Sequence, residues 1–439
     1  MKKIILTSCF AICTIANAQE LNKASLDSLF IHLNKEKIGA GSVSIFQDGK
    51  EIYANSYGNR DFEKNTPNNH DTKFRIGSIS KTFTATLIMK MVEDGKLTLE
   101  TKLSQFYPKV INSDKITIQH LLQHQSGIHN ITDDSTYLNW FTKDQSKEDL
   151  LIKINNLSSD FEPNTKESYS NTNYILLTFI VEDVSKKSYN DLINKYIIKP
   201  LNLKNTKVGN KILVDKNEAK SYQYLSNQYV LQPETAMTVP MGAGFLVSTP
   251  TDLNTFMYAL FNGKILKKET VEQMKKINEK YGLGLGTNKI DNQTGIGHSG
   301  AIDSFMSYTF CFDETKFCYS YTKNTNEDSP NLLIKNLYNA THNQKIELPK
   351  KLFSVIVFEN ILKNYTNGYT STEMPLGITF FIENKTLMAQ GTGQQAFPLD
   401  AISNTNFEFS SAKLQIEFSE DGKTMKLIQN GRTFQFSKK

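Results

Sequence analysis

No run of about 20 apolar residues occurs beyond the first 18 positions, which leaves the rest of the chain without a candidate helical membrane span. Charge of one sign is equally lacking. Lysine and arginine number 50 against 45 aspartates and glutamates, a formal +5, and the bases are mostly lysines scattered among asparagines rather than gathered in a block. Such a balance describes a solvated surface and argues against a nucleic-acid partner. The sequence also has no glycine-rich phosphate loop, no cysteine-rich zinc pattern, no internal repeat and no low-complexity linker. Neither a cofactor nor a metal is therefore expected.

Cysteine is scarce, with four in 439 residues. Cys9 and Cys13 fall within Met1 to Ala18, where two lysines, an apolar segment from Ile4 to Ala16 and the sequence Ala16-Asn-Ala18 before Gln19 predict a cleaved secretory leader. The expectation is an exported protein, periplasmic or secreted, whose mature chain begins near Gln19. Lipid attachment at Cys9 is the weaker alternative, because too short an apolar stretch would precede it. Loss of Lys2 and Lys3 with the leader leaves 48 basic against 45 acidic residues, or +3. The remaining pair, Cys311 and Cys318, flanks a hairpin pattern whose tip lies between Glu314 and Thr315. A symmetrical tip sets the two cysteines opposite each other and predicts a cross-strand disulfide; two buried, reduced thiols are the alternative.

The length predicts two or three domains. A helix from Leu21 to about Lys35 precedes two strands between Gly39 and Gly58, turned at Gln47-Asp-Gly49. Helical periods dominate from about 95 to 240, including Thr117 to Gln125, Asn173 to Ser185 and Tyr189 to Ile198; strands return at 281 to 287 and in the aromatic run Phe305 to Tyr321. Strands at both ends of a helical region predict an α+β fold: an antiparallel sheet flanked by helices, with a helical lobe inserted between its terminal segments. Near Leu348-Pro349 the texture changes. Short alternating runs from Ile378 to Phe436, separated by turns such as Glu-Asp-Gly, predict a small all-β barrel or sandwich. The expected boundaries are a leader at 1–18, a main domain at 19–347 and a β domain at 348–439.

Ser78-Ile-Ser-Lys81 stands at the mouth of the clearest amphipathic helical pattern, in which Ile79, Phe83, Leu87 and Met91 form an apolar stripe ended by Asp94-Gly95. Residues three apart project from one face of a helix, so the Ser78 hydroxyl and Lys81 amine are held side by side near its positive end. A neutral lysine there takes the serine's proton and makes a poor nucleophile competent for acyl transfer. Ser-x-x-Lys also occurs at Ser320 and Ser410, without the preceding strand and Gly77 turn. Tyr169-Ser-Asn171, after Phe161-Glu-Pro163 and at the entrance to a helix, offers a phenol to share the proton and an amide to hold a substrate carbonyl. His298-Ser-Gly300 lies in a glycine-dense stretch ahead of a strong strand, where backbone can approach a ligand and an N–H just past Gly300 can meet an oxyanion. His120 and His124 have the i, i+4 spacing of a metal pair, but no glutamate follows His120. His124 reads better as a structural residue ending a buried helix.

In order, Phe74-Arg-Ile-Gly-Ser-Ile-Ser-Lys81, Leu121-Leu-Gln-His-Gln-Ser-Gly127, Phe161-Glu-Pro-Asn-Thr-Lys-Glu-Ser-Tyr-Ser-Asn171, Gly242-Ala-Gly-Phe-Leu-Val-Ser-Thr-Pro-Thr-Asp-Leu253 and Gly297-His-Ser-Gly300 resemble the serine beta-lactamase-related hydrolases, in particular the class C beta-lactamase and D-alanyl-D-alanine carboxypeptidase branch. The resemblance spans about residues 25 to 345. It implies Ser78 as the acylated nucleophile, Lys81 as its proton partner and Tyr169 as general acid and base. It further implies Asn171 as a substrate and lysine contact, His298 where many relatives place lysine, Gly300 shaping that strand, and the Ser78 and Ala301 N–H groups as oxyanion hole. The tail resembles a lipocalin-like domain, with Gly391-Thr-Gly-Gln394 and Gln429-Asn-Gly-Arg432 the suggestive pieces.

Two positions depart from the family pattern. Asn164 replaces a glycine after Phe-x-Pro, which would reshape the loop leading to Tyr169. His298 removes a permanent positive charge from the place where a substrate carboxylate docks, since histidine is largely neutral at pH 7. The expectation is thus an exported serine hydrolase acting through an acyl-enzyme on a short D-residue-containing peptide or a small ester, with small-molecule or short-peptide substrates as partners. The alternatives are a peptide or cell-wall-fragment binding protein of weak activity, and a true beta-lactamase.

Overall fold

The computed structural model describes residues 21–225, 228–313, 316–326, 330–350, 357–374, 377–383, 385–393, 396–409, 412, 414–429 and 431–439. The leader at 1–18, the cleavage point before Gln19, the hairpin tip at Glu314 and Thr315, the Ser410 to Lys413 motif's first and last residues, and Gln394 and Asn430 of the tail lie outside the described residues.

Six strands form one antiparallel sheet in the order Gly286–Ile290, Gln293–Ile302, Phe305–Phe312, Phe317–Lys323, Gly41–Gln47, Lys50–Tyr57. The first hairpin thus pairs with the last strand of the body, Gly41 opposite Lys323 and Gln47 opposite Phe317, and the helical residues between are the inserted lobe. Alternation along these strands sorts two faces. Val43, Ile45, Tyr53, Tyr57, Tyr308, Phe310, Tyr319 and Tyr321 pack with the helices Lys23–Glu36 and Pro330–Thr341 in one core cluster. On the opposite face stand Ser44, Thr309 and Ser320, small hydroxyl residues. Asn254 of the helix Pro250–Phe261 knits them together: its amide donates 3.0 Å to Ser44 O, and Ser320 Oγ donates 2.7 Å to Asn254 Oδ1.

The Ser80–Glu93 helix is not amphipathic in its setting. Ser80 through Met89 and Met91 are all buried, because the polar side is threonine rather than charge. Thr82 Oγ1 donates to Gly284 O at 2.9 Å and Thr84 Oγ1 to Gly242 O at 2.8 Å, so each hydroxyl is satisfied inside the core. Phe83 stacks on Phe256 at 3.7 Å between centroids, tying this helix to the sheet-covering one. Other expectations shift at their ends. The helix expected over Thr117 to Gln125 is only Ile118–Leu122, stopped by left-handed His124 at φ 58°; Asn171–Ser185 starts two residues early, and the strand expected at 281 to 287 is Gly286–Ile290.

Cys311 and Cys318 face each other in register, 4.0 Å apart at Cα, and are bridged. In the tail, nine strands make a second sheet whose two edge members are Phe397–Pro398 and Asp400–Ala401. One residue, Leu399, separates those edges, so the sheet curls back on itself into a nearly closed barrel. Its core is its own: Tyr365, Tyr369, Phe380, Phe407, Phe418 and Phe436 are buried among other tail residues.

Candidate active site

Ser78 is delivered by a short strand and a tight turn. Phe74–Arg75 pairs with Leu246–Ser248, and Ile76 N donates to Leu246 O at 3.0 Å. Gly77 then takes φ 48°, and a side chain there would meet Ala301 N at 2.8 Å; only glycine serves both the left-handed backbone and this close approach. A single 3-10 turn, Gly77–Ile79, leads into the buried helix and leaves Ser78 half-buried at its mouth.

Lys81, fully buried, is on the same side of the coil. Its Nζ lies 3.0 Å from Ser78 Oγ, 2.7 Å from Asn171 Oδ1 and 2.8 Å from Ala243 O. Among the described residues none of its hydrogen-bonding partners is a carboxylate, and burial holds the ammonium pKa well below the usual lysine range. Tyr169 Oη donates to Ser78 Oγ at 2.6 Å, and the Tyr169 ring lies 4.7 Å from Lys81 Nζ. Burial raises the Tyr169 phenol above its ordinary value, so it remains protonated at neutral pH. Asn171, the first residue of its helix, is pinned from two sides: its N–H donates to Asn130 Oδ1 at 2.9 Å and its Nδ2 to Thr132 Oγ1 at 3.1 Å. With Oδ1 engaged by Lys81, the observed contact is the lysine.

The opposite wall is the strand Gln293–Ile302. His298 is buried there, its ring centroid 6.4 Å from that of Tyr169. A carbonyl oxygen only accepts, so the 2.5 Å contact between His298 Nδ1 and Ser299 O places the proton on Nδ1. Burial and the neighbouring Lys81 push its pKa down to about 4, leaving the imidazole neutral near pH 7. Gly300 is required by packing: a side chain would collide with Ile76 O and stand 2.9 Å from Ser78 N. That closeness brings the Ser78 and Ala301 backbone amides to the same small region.

The residues singled out in the sequence, Ser78, Lys81, Tyr169, Asn171, His298, Gly300 and Ala301, gather around the Gly77–Ile79 turn and the start of its helix. The motif copy at Ser320 does not join them: Ser320 and Lys323 lie in a strand, where residues three apart face opposite ways. The two histidines of the metal reading go to different partners, His120 Nδ1 accepting from Thr117 N and His124 Nδ1 from Ser170 N, while the nearby His129 pairs with Asp160. Asn164 adopts φ 65°, the left-handed conformation that glycine takes freely and asparagine tolerates, and its N–H donates to Gln125 O at 2.9 Å. The sequence reading missed Ala243, Asn130 and Thr132. Ala243 offers only a backbone carbonyl, which carries no residue-type signal.

The family model described as Beta-lactamase matches residues 26–343. This chain belongs to the Beta-lactamase family. It is accordingly a serine hydrolase with a beta-lactamase-like fold, followed by the barrel. A penicillin-binding protein of Bacillus subtilis (strain 168) is 26% identical over 436 residues, covering 90% of this chain and 93% of its own length. A teichoic acid D-alanine hydrolase of Staphylococcus aureus (strain NCTC 8325 / PS 47) is 28% identical over 269 residues, 60% of this chain and 66% of that protein. The crystal structure of D-amino acid amidase from Ochrobactrum anthropi SV3 complexed with L-phenylalanine amide shares the fold, with a TM-score of 0.66 at 24% identity over 74% of this chain and 99% of that one. Among the described residues of this beta-lactamase-family enzyme, no helix is long and apolar enough to cross a membrane.

Proposed function

We propose that this chain is an exported hydrolase in which Ser78 attacks the carbonyl of a short D-residue-containing amide or peptide, or of a small ester, and is transiently acylated. The observation that carries this reading is the bonding around Lys81. A neutral lysine has two N–H groups and one lone pair. The two N–H groups are taken by Asn171 Oδ1 and Ala243 O, which leaves the lone pair for the Ser78 hydroxyl at 3.0 Å. The Tyr169 phenol donates to the same Oγ, so the hydroxyl sits between an acceptor, the Lys81 amine, and a donor, the phenol.

The steps follow from that geometry. Ser78 Oγ bonds to the substrate carbonyl carbon as its proton passes to Lys81 Nζ. The carbonyl oxygen becomes an oxyanion, held by the Ser78 and Ala301 amides. Tyr169, touching Oγ, relays a proton from the Lys81 side to the leaving nitrogen or oxygen, and the scissile bond breaks. Water then attacks the acyl carbon as Lys81 Nζ takes one of its protons, the carbon–Oγ bond breaks, that proton passes through the Lys81 and Tyr169 pair back to Ser78 Oγ, and the carboxylic acid departs.

The substrate class rests on two supports. The relatives named as a D-alanine hydrolase and a D-amino acid amidase act, by those names, on D-residue derivatives. The neutral His298 supplies no fixed cation for a substrate carboxylate, which favours amides and esters over acidic penicillin-type substrates. Export is supported by the leader pattern and by the Cys311–Cys318 bridge, which suits an oxidising compartment. The test is intact-mass analysis of the mature protein after exposure to a panel of D-aminoacyl amides, small esters and penicillins. An adduct of the acyl group's mass, absent from Ser78→Ala, is expected. A wild-type protein that binds these compounds without any adduct would return the chain to the binding-protein reading.

A further inference from the structure

His124 ends a short helix and also grips the segment around Tyr169 at three points. Its carbonyl oxygen accepts from Ser168 N at 2.9 Å, and its Nδ1 accepts from Ser170 N at 3.1 Å. The two residues that flank Tyr169 are therefore both tied to one residue, His124. Between these bonds the imidazole lies against the Tyr169 ring, centroids 4.4 Å apart and planes tilted by 34°. The left-handed backbone of His124, φ 58°, is what turns its carbonyl and its side chain toward the same neighbour. Tyr281 closes the far side, 4.8 Å from the imidazole and 5.8 Å from the Tyr169 ring.

We infer that His124 is a positioning residue for Tyr169, a clamp that holds the phenol oxygen on Ser78 Oγ and keeps its surroundings neutral. Because a backbone N–H can only donate, Nδ1 is unprotonated and the imidazole is uncharged. The groups that face it are Lys81, His298 and the phenols of Tyr169, Tyr174 and Tyr281, with no carboxylate among the interactions found there. Burial, the largest cause, holds the imidazole pKa well below its ordinary value, in keeping with a neutral ring. A phenol without its clamp is free to swing about its side-chain torsions, and a misplacement of about 1 Å at a reacting group costs roughly 100-fold in rate.

This inference rests on the reading that Tyr169 moves the Ser78 proton, and a double-mutant cycle separates the two. Acylation by p-nitrophenyl acetate is followed as the pre-steady-state burst, with kcat and KM measured alongside, in wild type, His124→Phe, Tyr169→Phe and the double variant. His124→Phe keeps a ring but loses the acceptor. The expected result is a fall of about 10- to 100-fold in the acylation rate with KM within about threefold, and under about twofold further loss when the same change is made in Tyr169→Phe. His124→Asn tolerates the left-handed backbone and restores an acceptor at the Nδ1 position; it is expected to recover part of the rate, and it serves in the cycle if the phenylalanine variant does not fold. Equal losses in both backgrounds, or a change in KM or melting temperature alone, overturn the clamp while leaving Tyr169 in place. A Tyr169→Phe protein that acylates at the wild-type rate overturns the reading of Tyr169 and the clamp with it.

Discussion

Gly300→Ala tests the oxyanion site through one methyl group. Gly300 does not occupy the left-handed region, so the substitution carries no backbone penalty and its effect is steric. The new carbon would press on Ile76 O and stand 2.5 Å from Ser307 Oγ and 2.9 Å from Ser78 N, where ordinary carbon contacts lie at about 3.5 Å or more. Relief requires the strand Gln293–Ile302 to back away from the Gly77–Ile79 turn, and that motion separates the Ala301 amide from the Ser78 amide. Overpacking of this kind costs about 1–3 kcal/mol of stability, a fall of roughly 3–10 °C in a domain this large. Loss of one oxyanion donor costs about 100- to 1,000-fold in kcat. The expected signature is therefore a kcat loss far larger than the stability loss, read as ester hydrolysis at a temperature well below both melting points. Gly286→Ala, in the edge strand of the same sheet, is the control: its added carbon meets nothing nearer than 3.8 Å and should leave kcat unchanged. A Gly300→Ala enzyme that keeps kcat within about threefold would refute the assignment of the Ser78 and Ala301 amides.

The remaining predictions concern titration and the disulfide. His298, whose pKa is lowered from 6.5 to about 4, binds fewer protons folded than unfolded between those values; stability is full above pH 6.5, falls as pH drops through the window by about 3 kcal/mol, and levels off below pH 4. His298→Leu should flatten that part of the stability curve in urea titrations, and an unchanged slope would show that the imidazole is not held neutral. The Cys311–Cys318 bridge closes a short loop, so the double serine variant should lose about 2.5 kcal/mol. Thiol titration of the denatured, unreduced mature protein should find no free thiol, and finding two would remove the bridge.

The sequence by itself determined the chemistry's vocabulary and the fold's outline. The i, i+3 spacing of Ser78 and Lys81 survives in any helix, so their 3.0 Å approach was legible before any tertiary contact was known. The alternating tail and the strands at either end of the helical region likewise gave the barrel and the six-stranded sheet, because period-2 patterning is local. Three things were decided only by the tertiary structure. The burial of the Ser80–Glu93 helix on all sides was hidden, since threonines read as a polar face until Gly242 and Gly284 offer their carbonyls. The lowered pKa of Lys81 comes from its burial, with an amide oxygen and the Ala243 carbonyl as hydrogen-bond partners, and backbone groups look identical at every position of a sequence. The hold of His124 on Tyr169 joins residues 45 apart in the chain through a left-handed backbone, and neither helical nor strand periodicity encodes such a meeting. Local spacing sets which groups can react; the fold sets their charge and aim, because desolvation and close approach arise only when distant segments pack together.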